Sequence, residues 1–431
     1  MRKIFVILFS VFVVSNANGA TVINDTEIER GISDIIMPIA RAAKIPENRL
    51  KIYIINDDDF NAFVRGGEDI FVYTGLLKQI KNPNALRAVI AHELGHTIGG
   101  HMVQISQRMH DEMMRTMIIQ ALGVGLMVAG GNPTAGVGVM AGATGIAQQS
   151  LLSFSRDEER MADDMAIDLM VAANQNPNGL LDVFDQMHNM NGEFESRVNP
   201  NRVNHPLTNE RINNTKTKIS KLKSVPKKSE SEIARENKNY EILRAKLIGY
   251  LDQGKNVIAQ YPYSNKSDAA IYARAIANMR AGDLATAKTG TQTLINRNPN
   301  NPYFYELLGD IEYQYGAYDD SVRAYEQSLK QTTNAPQIET ALALVLSERN
   351  KPGDSTRAIE LCKKVILTEQ TPLSYWILAR VTKDGESDWA MAEYYNMNGD
   401  TKNAKKYAKS AQKKSKKGTP EYIKSGDILR K

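Results

Sequence analysis

The stretch Asn84-Ala-Leu-Arg-Ala-Val-Ile-Ala-His-Glu-Leu-Gly-His96 decides the fold of this chain, because it combines helix periodicity with a metal-binding spacing. Its apolar residues recur at helix spacing, which predicts a helix from residue 84 to about 117. On a helix, His92 and His96 project from one face about one turn apart and can share a metal ion. Glu93 lies on the adjoining edge, where a carboxylate can act as general base toward water acidified by the metal. The motif therefore predicts a zinc site with hydrolytic chemistry.

A third metal ligand must come from elsewhere in the chain, and the best candidate lies in the acidic segment 155–163. Glu159 precedes Asp163 by four residues, so the two side chains share a helix face. Glu159 could bind the metal while Asp163 accepts the spare N–H of a ligand histidine and fixes its orientation. Considered alone, the segment could equally be the solvent-facing acidic start of a helix. The two histidines favour the ligand interpretation.

The length and the N-terminal residues predict an exported protein of two or three domains. The chain has 431 residues, of which 42% are hydrophobic and 24% charged, as in soluble globular proteins. The net charge of +5 is small, which argues against nucleic-acid binding. Residues 1–20 combine Arg2 and Lys3 with an apolar run too short to span a bilayer and a small-residue end, the pattern of a cleaved signal peptide. Cys362 is the single cysteine, so the chain cannot form an intramolecular disulfide. An exported chain without disulfides is typical of the periplasm.

The N-terminal half predicts an α+β domain that is mainly helical and contains a small β-sheet. Short strands rich in β-branched and aromatic residues are expected at 51–56, 62–65 and 69–74. We expect this metal-binding domain to cover residues 21–222, and a linker rich in Lys and Ser to follow over residues 223–234.

Residues 235–431 predict an all-α domain of tetratricopeptide-like helical repeats. Small residues follow turn glycines by five positions, as Ala287, Ser321, Ala358 and Ala404 follow Gly282, Gly316, Gly353 and Gly399. The first interval between these glycines is 34 residues, the length of a tetratricopeptide helix pair. The later intervals of 37 and 46 residues predict insertions or a degenerate last repeat.

Residues 116–155 contain no charged side chain. Three interpretations stay open for this segment: a buried helical hairpin, a mobile flap beside the active site, or an element that makes peripheral contact with a membrane.

Taken together, these residues resemble the gluzincin metalloproteases that include the HtpX proteases, the CAAX prenyl endopeptidases and the Oma-type proteases. Within that family the sequence is most similar to the periplasmic BepA-like proteases, which carry C-terminal tetratricopeptide repeats. The resemblance covers nearly the whole mature chain. The matching segments are Asn61–Phe63, Gly66–Gly67, Ile70–Leu77, Ala91–His96, Ser155–Arg156, Glu159, Ala162–Asp163, His205–Leu207 and Arg211.

The resemblance implies a ligand set and a catalytic base. One Zn²⁺ per chain would be bound by His92, His96 and Glu159, with Glu93 as the base. The family spacing, in which the ligand precedes the aspartate by four residues, selects Glu159 over Glu158.

The resemblance also places His205 at the metal, either as a fourth ligand that closes the site at rest or as a donor to the oxyanion. A loop-packing histidine is the alternative without a catalytic role. Arg211, one helical turn further on, is expected to hold this loop or to stabilise the oxyanion.

The resemblance further implies how substrate binds and which partners the protein has. Extended protein or peptide substrates would pair as an added strand along the edge formed by Ile70, Phe71, Val72, Tyr73 and Thr74. The implied function is periplasmic cleavage of misfolded or misassembled proteins, with the repeats docking substrate or the outer-membrane β-barrel assembly machinery. The alternative is a largely latent protease that acts as a chaperone-like scaffold through its repeats.

Overall fold

The structure is a computed structural model that describes residues 12–15, 21–100, 156–194, 205 and 207–430. It confirms the predicted fold class, because helices dominate and a small β-sheet lies in the N-terminal half. The chain divides into two compact units. Of the described residues, one unit comprises 12–15, 22–30 and 241–430, and the other comprises 21, 31–100, 156–194, 205 and 207–240.

Several predictions fall on other parts of the chain. Most of the predicted signal peptide and the whole of residues 116–155 lie outside the described residues. The domain limits 21–222, 223–234 and 235–431 stay predictions. Among the described ranges, no helix is both long and apolar enough to cross a membrane.

The β-sheet encloses the strand that was predicted to bind substrate. The strands are β1 (Phe12–Ser15), β2 (Thr21–Asn24), β3 (Lys51–Asn56), β4 (Ala62–Arg65) and β5 (Asp69–Tyr73). β5 pairs in parallel with β3 and antiparallel with β4. Because both sides of β5 are paired, the prediction that Ile70–Thr74 forms a free edge is wrong. Thr74 also leaves the strand: it begins a helix, and its hydroxyl donates to the carbonyl oxygen of Asp57 at 2.9 Å.

β4 is the outer strand on this side of the sheet among the described residues. The backbone N–H of Tyr73 donates to the carbonyl oxygen of Asn61 at 3.1 Å. Antiparallel pairing alternates, so the backbone groups of Ala62 and Val64 point away from β5. The side chains of both residues are buried, which fixes the strand in the core.

Six helices of the described residues flank the strands in sequence. They are α1 (Thr26–Ala42), α2 (Thr74–Gln79), α3 (Pro83–Ile98), α4 (Arg156–Ala172), α5 (Gly179–Phe194) and α6 (Asn209–Ser220). The motif helix α3 begins as its sequence dictates, because Pro83 occupies a first-turn position and the Asn82 side chain accepts from the backbone N–H of Ala85 at 2.8 Å. It ends at Ile98, and the rest of the predicted helix beyond residue 100 lies outside the described residues.

The C-terminal half consists of helices only. They are α7 (Glu230–Leu251), α8 (Gly254–Gln260), α9 (Asp268–Arg280), α10 (Leu284–Arg297), α11 (Pro302–Tyr315), α12 (Tyr318–Gln331), α13 (Pro336–Arg349), α14 (Asp354–Thr368), α15 (Pro372–Val381), α16 (Asp384–Met397), α17 (Thr401–Lys414) and α18 (Pro420–Arg430). Neighbouring helices pack in pairs, such as α9 with α10, α11 with α12 and α13 with α14.

The predicted repeat signals lie at the turns of these pairs. The four turn glycines adopt left-handed backbone angles, with φ of 82°, 75°, 90° and 74° at Gly282, Gly316, Gly353 and Gly399. The small residues five positions later are all buried. The long last interval has a structural cause, because the ten-residue helix α15 is inserted between α14 and the pair formed by α16 and α17.

Candidate metal centre

The predicted ligands meet because α3 and α4 approach closely at a glycine. A Cβ atom on Gly95 of α3 would lie 2.8 Å from the carbonyl oxygen of Ala162 on α4, so only glycine permits this packing. Across the contact, His92 and His96 face Glu159. All three residues are 5% exposed or less.

Four side chains direct donor atoms toward one point. Nε2 of His92 lies 3.1 Å from Nε2 of His96 and 3.4 Å from Nδ1 of His205. The Glu159 carboxylate completes the group, with Oε1 3.5 Å from Nε2 of His96 and 2.8 Å from Nδ1 of His205. Its Oε2 lies 3.4 Å from Nε2 of His92. The four ligand atoms all fall within 4.8 Å of one another.

This donor set fits a zinc ion. Zinc is bound tetrahedrally by imidazole nitrogen and carboxylate oxygen at about 2.0–2.2 Å, so neighbouring ligand atoms are separated by about 3.3 Å. The separations above, from 2.8 to 3.5 Å, lie around that value. Imidazole nitrogens and a carboxylate oxygen are also the ligand types that zinc prefers.

Behind the donors, Asp163 and Arg211 form a second layer of contacts. Nδ1 of His92 lies 2.9 Å from Oδ1 of Asp163, which turns Nε2 toward the other donors. Arg211 donates from Nε and Nη2 to the two oxygens of Asp163, each at 2.8 Å, and its Nη1 lies 2.7 Å from Oε2 of Glu159. The guanidinium also stacks over the ring of Phe184, 5.2 Å from its centre.

The sequence predicts Arg211 only at the loop or the oxyanion, whereas the structure also links it to Glu159. A signal for this link existed, since two buried acids four residues apart on one helix require a compensating cation. The arginine is positioned by the start of α6, where the Thr208 side chain accepts from its backbone N–H at 3.2 Å.

The electrostatics of the site keep its groups in different protonation states. Burial lowers the pKa of His96 to about 4, so the ring is neutral and can bind a metal. Burial would raise the pKa of Asp163, yet hydrogen bonds from Arg211 and His92 hold that pKa below its usual value. Burial raises the pKa of Glu93, which suits a group that must take up a proton.

His205 enters the site from the segment before α6. While its Nδ1 belongs to the donor group, its Nε2 lies 3.5 Å from Oε1 of Glu93. The structure thus brings His205 together with the three other predicted ligands and the predicted base. Glu158, the competitor of Glu159, is buried as well but does not belong to the donor group.

The helical packing and the buried His–His–Glu donors define a zinc-dependent metalloendopeptidase, and comparison with known families agrees. Residues 25–219 match the model of Peptidase family M48. This segment of the chain is therefore similar to the M48 metallopeptidases.

Known relatives extend the similarity beyond that segment. The Beta-barrel assembly-enhancing protease of Escherichia coli (strain K12) is 21% identical over 350 residues, which cover 79% of this chain and 69% of the relative. The Mitochondrial metalloendopeptidase OMA1 of Schizosaccharomyces pombe is 25% identical over 181 residues, covering 42% of this chain and 50% of the relative.

Among solved structures, a thermophilic TPR protein of Thermus thermophilus aligns with 44% of this chain and 92% of its own, at 16% identity and a TM-score of 0.25. Overlap at that level does not establish a shared fold, and the repeats are recognised by the helix pairs described above.

Proposed function

We propose that this chain is a periplasmic zinc endopeptidase that cleaves misfolded or misassembled proteins, outer-membrane proteins among them. The observation that carries the proposal is the buried donor group of His92, His96 and Glu159 with the Glu93 carboxylate beside it. Its M48 match and the printed name of its Escherichia coli relative support the same interpretation.

The contacts support the following ligand roles. His92, His96 and Glu159 hold the zinc ion, which when bound acts as a Lewis acid toward the peptide carbonyl and lowers the pKa of water. Asp163 fixes the ring of His92 through Nδ1, and Arg211 holds Asp163 and Glu159 in register.

Glu93 performs the proton transfers. Its carboxylate lies on the same helix as two ligands, and burial raises its pKa toward the working range of a general base. It takes a proton from the attacking water and returns it to the nitrogen of the leaving amine.

His205 closes the site at rest. Its Nδ1 stands among the donors at 2.8 Å from Glu159 and 3.4 Å from His92, in the position that substrate and water require. A catalytic zinc site keeps one coordination position open, whereas four protein ligands close it. Activation therefore requires His205 to move away.

Substrate binds as an extended chain along β4, not along β5. The backbone groups of Ala62 and Val64 point away from β5, and β4 packs against the motif helix α3. Strand addition needs unpaired substrate backbone, which spares folded proteins.

The cellular setting is inferred from relatives and from the predicted leader. The name Beta-barrel assembly-enhancing protease, carried by relatives from Escherichia coli and Yersinia pestis, supports the β-barrel assembly machinery and its stalled clients as partners. Helical repeats offer extended surfaces for such docking.

The test of the enzymatic role is Glu93→Gln. This variant should keep its zinc and its fold but cleave an unfolded substrate such as reduced casein at least about 100-fold more slowly. The matched control is Glu210→Gln, an exposed glutamate on α6, which should cleave like the parent. Equal cleavage rates for the Glu93 variant and the parent would contradict the proposal.

A second function is favoured by the position of His205 among the donors. If the site stays closed, the protein acts as a chaperone-like scaffold through its repeats. In that case the parent and Glu93→Gln would both be inactive on casein, yet both would restore outer-membrane protein assembly in cells that lack the gene.

A further inference from the structure

A buried ionic cluster in the repeat-containing unit holds residues 22–30. Lys246, on α7, is 1% exposed, and its ammonium group faces three acidic side chains. Its Nζ lies 2.8 Å from Oδ2 of Asp25, 3.1 Å from Oε2 of Glu27 and 3.1 Å from Oε2 of Glu306. The hydroxyl of Tyr272 donates to Oε2 of Glu27 at 2.8 Å. Two acids of the N-terminal segment are therefore bound by groups of the repeats.

The same segment makes further polar contacts on either side of this cluster. Asn24 donates to Oε1 of Glu369 at 2.9 Å, and Thr26 is bonded to Gln337. Arg30 donates to the carbonyl oxygen of Asn334 at 2.9 Å. Together with Asp25 and Glu27, these side chains attach nearly every polar residue of Val22–Arg30 to the repeats.

The partners of the segment share a place in the repeat architecture. Lys246, Tyr272, Glu306 and Gln337 lie on α7, α9, α11 and α13, the first helices of four successive helix pairs. Equivalent helices of stacked repeats line one continuous surface, which is the surface such proteins use to bind peptides. The N-terminal segment thus occupies the place of a peptide ligand.

The polar contacts of this segment select a particular partner more than they stabilise the fold. One oxygen of Asp25 accepts from the backbone N–H of Ile28 at 2.9 Å and caps α1, while its other oxygen faces Lys246. An apolar cluster of the same volume would be at least as stable as this buried ionic one, whereas buried charges select a particular partner. The selected feature is an Asp-x-Glu pair at the start of a helix.

We propose that the surface formed by α7, α9, α11 and α13 is a peptide-binding groove for acidic Asp-x-Glu segments, and that residues 22–30 occupy it in cis. A protein segment with an aspartate at a helix start and a glutamate two residues later competes for the same place. Lys246 and Tyr272 supply the specificity, and Glu306 orients Lys246 from the repeat side. The inference does not rest on the zinc site or on peptidase activity.

The first experiment uses the full chain and a fluorescent peptide of residues 21–31. The parent should bind this peptide weakly, because its own segment fills the groove. The double variant Asp25→Asn/Glu27→Gln should bind it about 30-fold or more tightly than the parent does, the effect of freeing a buried charge pair. Adding Lys246→Gln should abolish the gain. A peptide with Asn and Gln at the two acidic positions is the matched ligand control.

A second measurement needs no variant and guards against misfolding of the first. Trypsin cleaves after Arg30, and the contacts to residues 332–334 protect that bond while the segment is docked. Excess acidic peptide should accelerate this cut in the parent, and the neutral peptide should not. Two results would overturn the proposal: equal effects of the two peptides, or a double variant that releases Arg30 to trypsin yet binds the acidic peptide no better than the neutral one.

Discussion

Nη1 of Arg211 lies 2.7 Å from Oε2 of Glu159, while its other nitrogens are bonded to Asp163. A single guanidinium from α6 therefore holds both the carboxylate proposed as a zinc ligand and the carboxylate that orients His92. This side chain thus joins α6 to α4 directly and, through Asp163, reaches His92 on α3. The fork geometry of arginine allows it, since a lysine could not reach both acids in one plane.

We expect Arg211→Met to lower zinc affinity by about 10- to 100-fold, the usual cost of removing a group that orients metal ligands. Methionine keeps an apolar contact with Phe184 but leaves Glu159 and Asp163 without their cation. Zinc affinity would be measured by competition with a chromogenic chelator.

The matched control for that experiment is Lys218→Met on the same helix. Lys218 also joins α6 to α4, since its Nζ lies 3.0 Å from Asp168 and donates to the carbonyl oxygen of Asp164 at 2.7 Å. It touches none of the zinc donors, so zinc affinity should stay within about twofold of the parent. Equal losses in the two variants would mean that Arg211 acts only by holding α6.

His205→Ala should speed the cleavage of unfolded casein, because it removes the group that closes the fourth position. Zinc should remain bound through His92, His96 and Glu159. If His205 instead donates to the oxyanion, kcat would fall by about 10²- to 10³-fold. The exposed His188→Ala serves as the control for a histidine loss and should leave both cleavage and zinc content unchanged.

The sequence predicts two pairs of site residues, His92 with His96 and Glu159 with Asp163, because the spacing within each pair is local. The spacing of four positions from His92 to His96, and of four from Glu159 to Asp163, places each pair on one helix face whatever the rest of the fold does. The role of Arg211 was beyond such reasoning, since its partner Asp163 lies 48 residues earlier and only tertiary packing joins them.

The position of β5 within the sheet was predicted wrongly for a related reason. Residue alternation indicates where a strand lies and which face is buried, but not which strand lies beside it. β5 was expected at an edge, whereas the hairpin through Gly66 and Gly67 folds β4 back onto its outer side. Both glycines have left-handed backbone angles that this tight connection needs.

Gly95→Ala should destabilise the zinc unit and release metal. The added Cβ would stand 2.8 Å from the backbone of Ala162, so α3 and α4 must separate. We expect a loss of about 1–3 kcal/mol in the free energy of unfolding, although alanine gains about 1 kcal/mol in helix propensity. Urea unfolding with and without zinc would measure both effects.

Gly290→Ala is the corresponding control, because this glycine is also helical. Its added Cβ would meet Ala275 at 3.4 Å, which is ordinary contact. Here helix propensity should dominate and stability should rise by up to about 1 kcal/mol. If Gly95→Ala also stabilised the protein, the close approach of α3 and α4 would not be what places the ligands.

Binding of substrate along β4 can be tested from the substrate side. In strand addition, every second backbone N–H group of the peptide points toward β4. Ala62 and Val64 of β4 point their backbone groups toward the peptide in the same alternating way. N-methylation at successive positions of a peptide substrate should therefore lower kcat/KM by about tenfold or more at every second residue and little between them. Uniform effects along the peptide would contradict strand pairing.

The ionic cluster at Lys246 predicts how stability depends on pH. Burial raises the pKa of Glu306 to about 8 against the opposing effect of Lys246, and Asp25, Asp310 and Glu27 raise it further. In the unfolded chain the same carboxyl titrates near 4.5. Folding thus favours its protonated form, so the free energy of unfolding should fall as the pH rises from about 4.5 to about 8 and change little above.

Glu306→Gln imitates the protonated carboxyl and should flatten that decline, leaving the protein more stable than the parent at pH 8 but not at pH 5. Trp376 and Trp389, the two tryptophans of the chain, both lie in the repeats, so their fluorescence reports urea unfolding of this unit. The exposed Glu326→Gln on α12 should keep the slope of the parent. A Glu306 variant with the parent slope would show that the other acids of the cluster, and not Glu306, take up the proton.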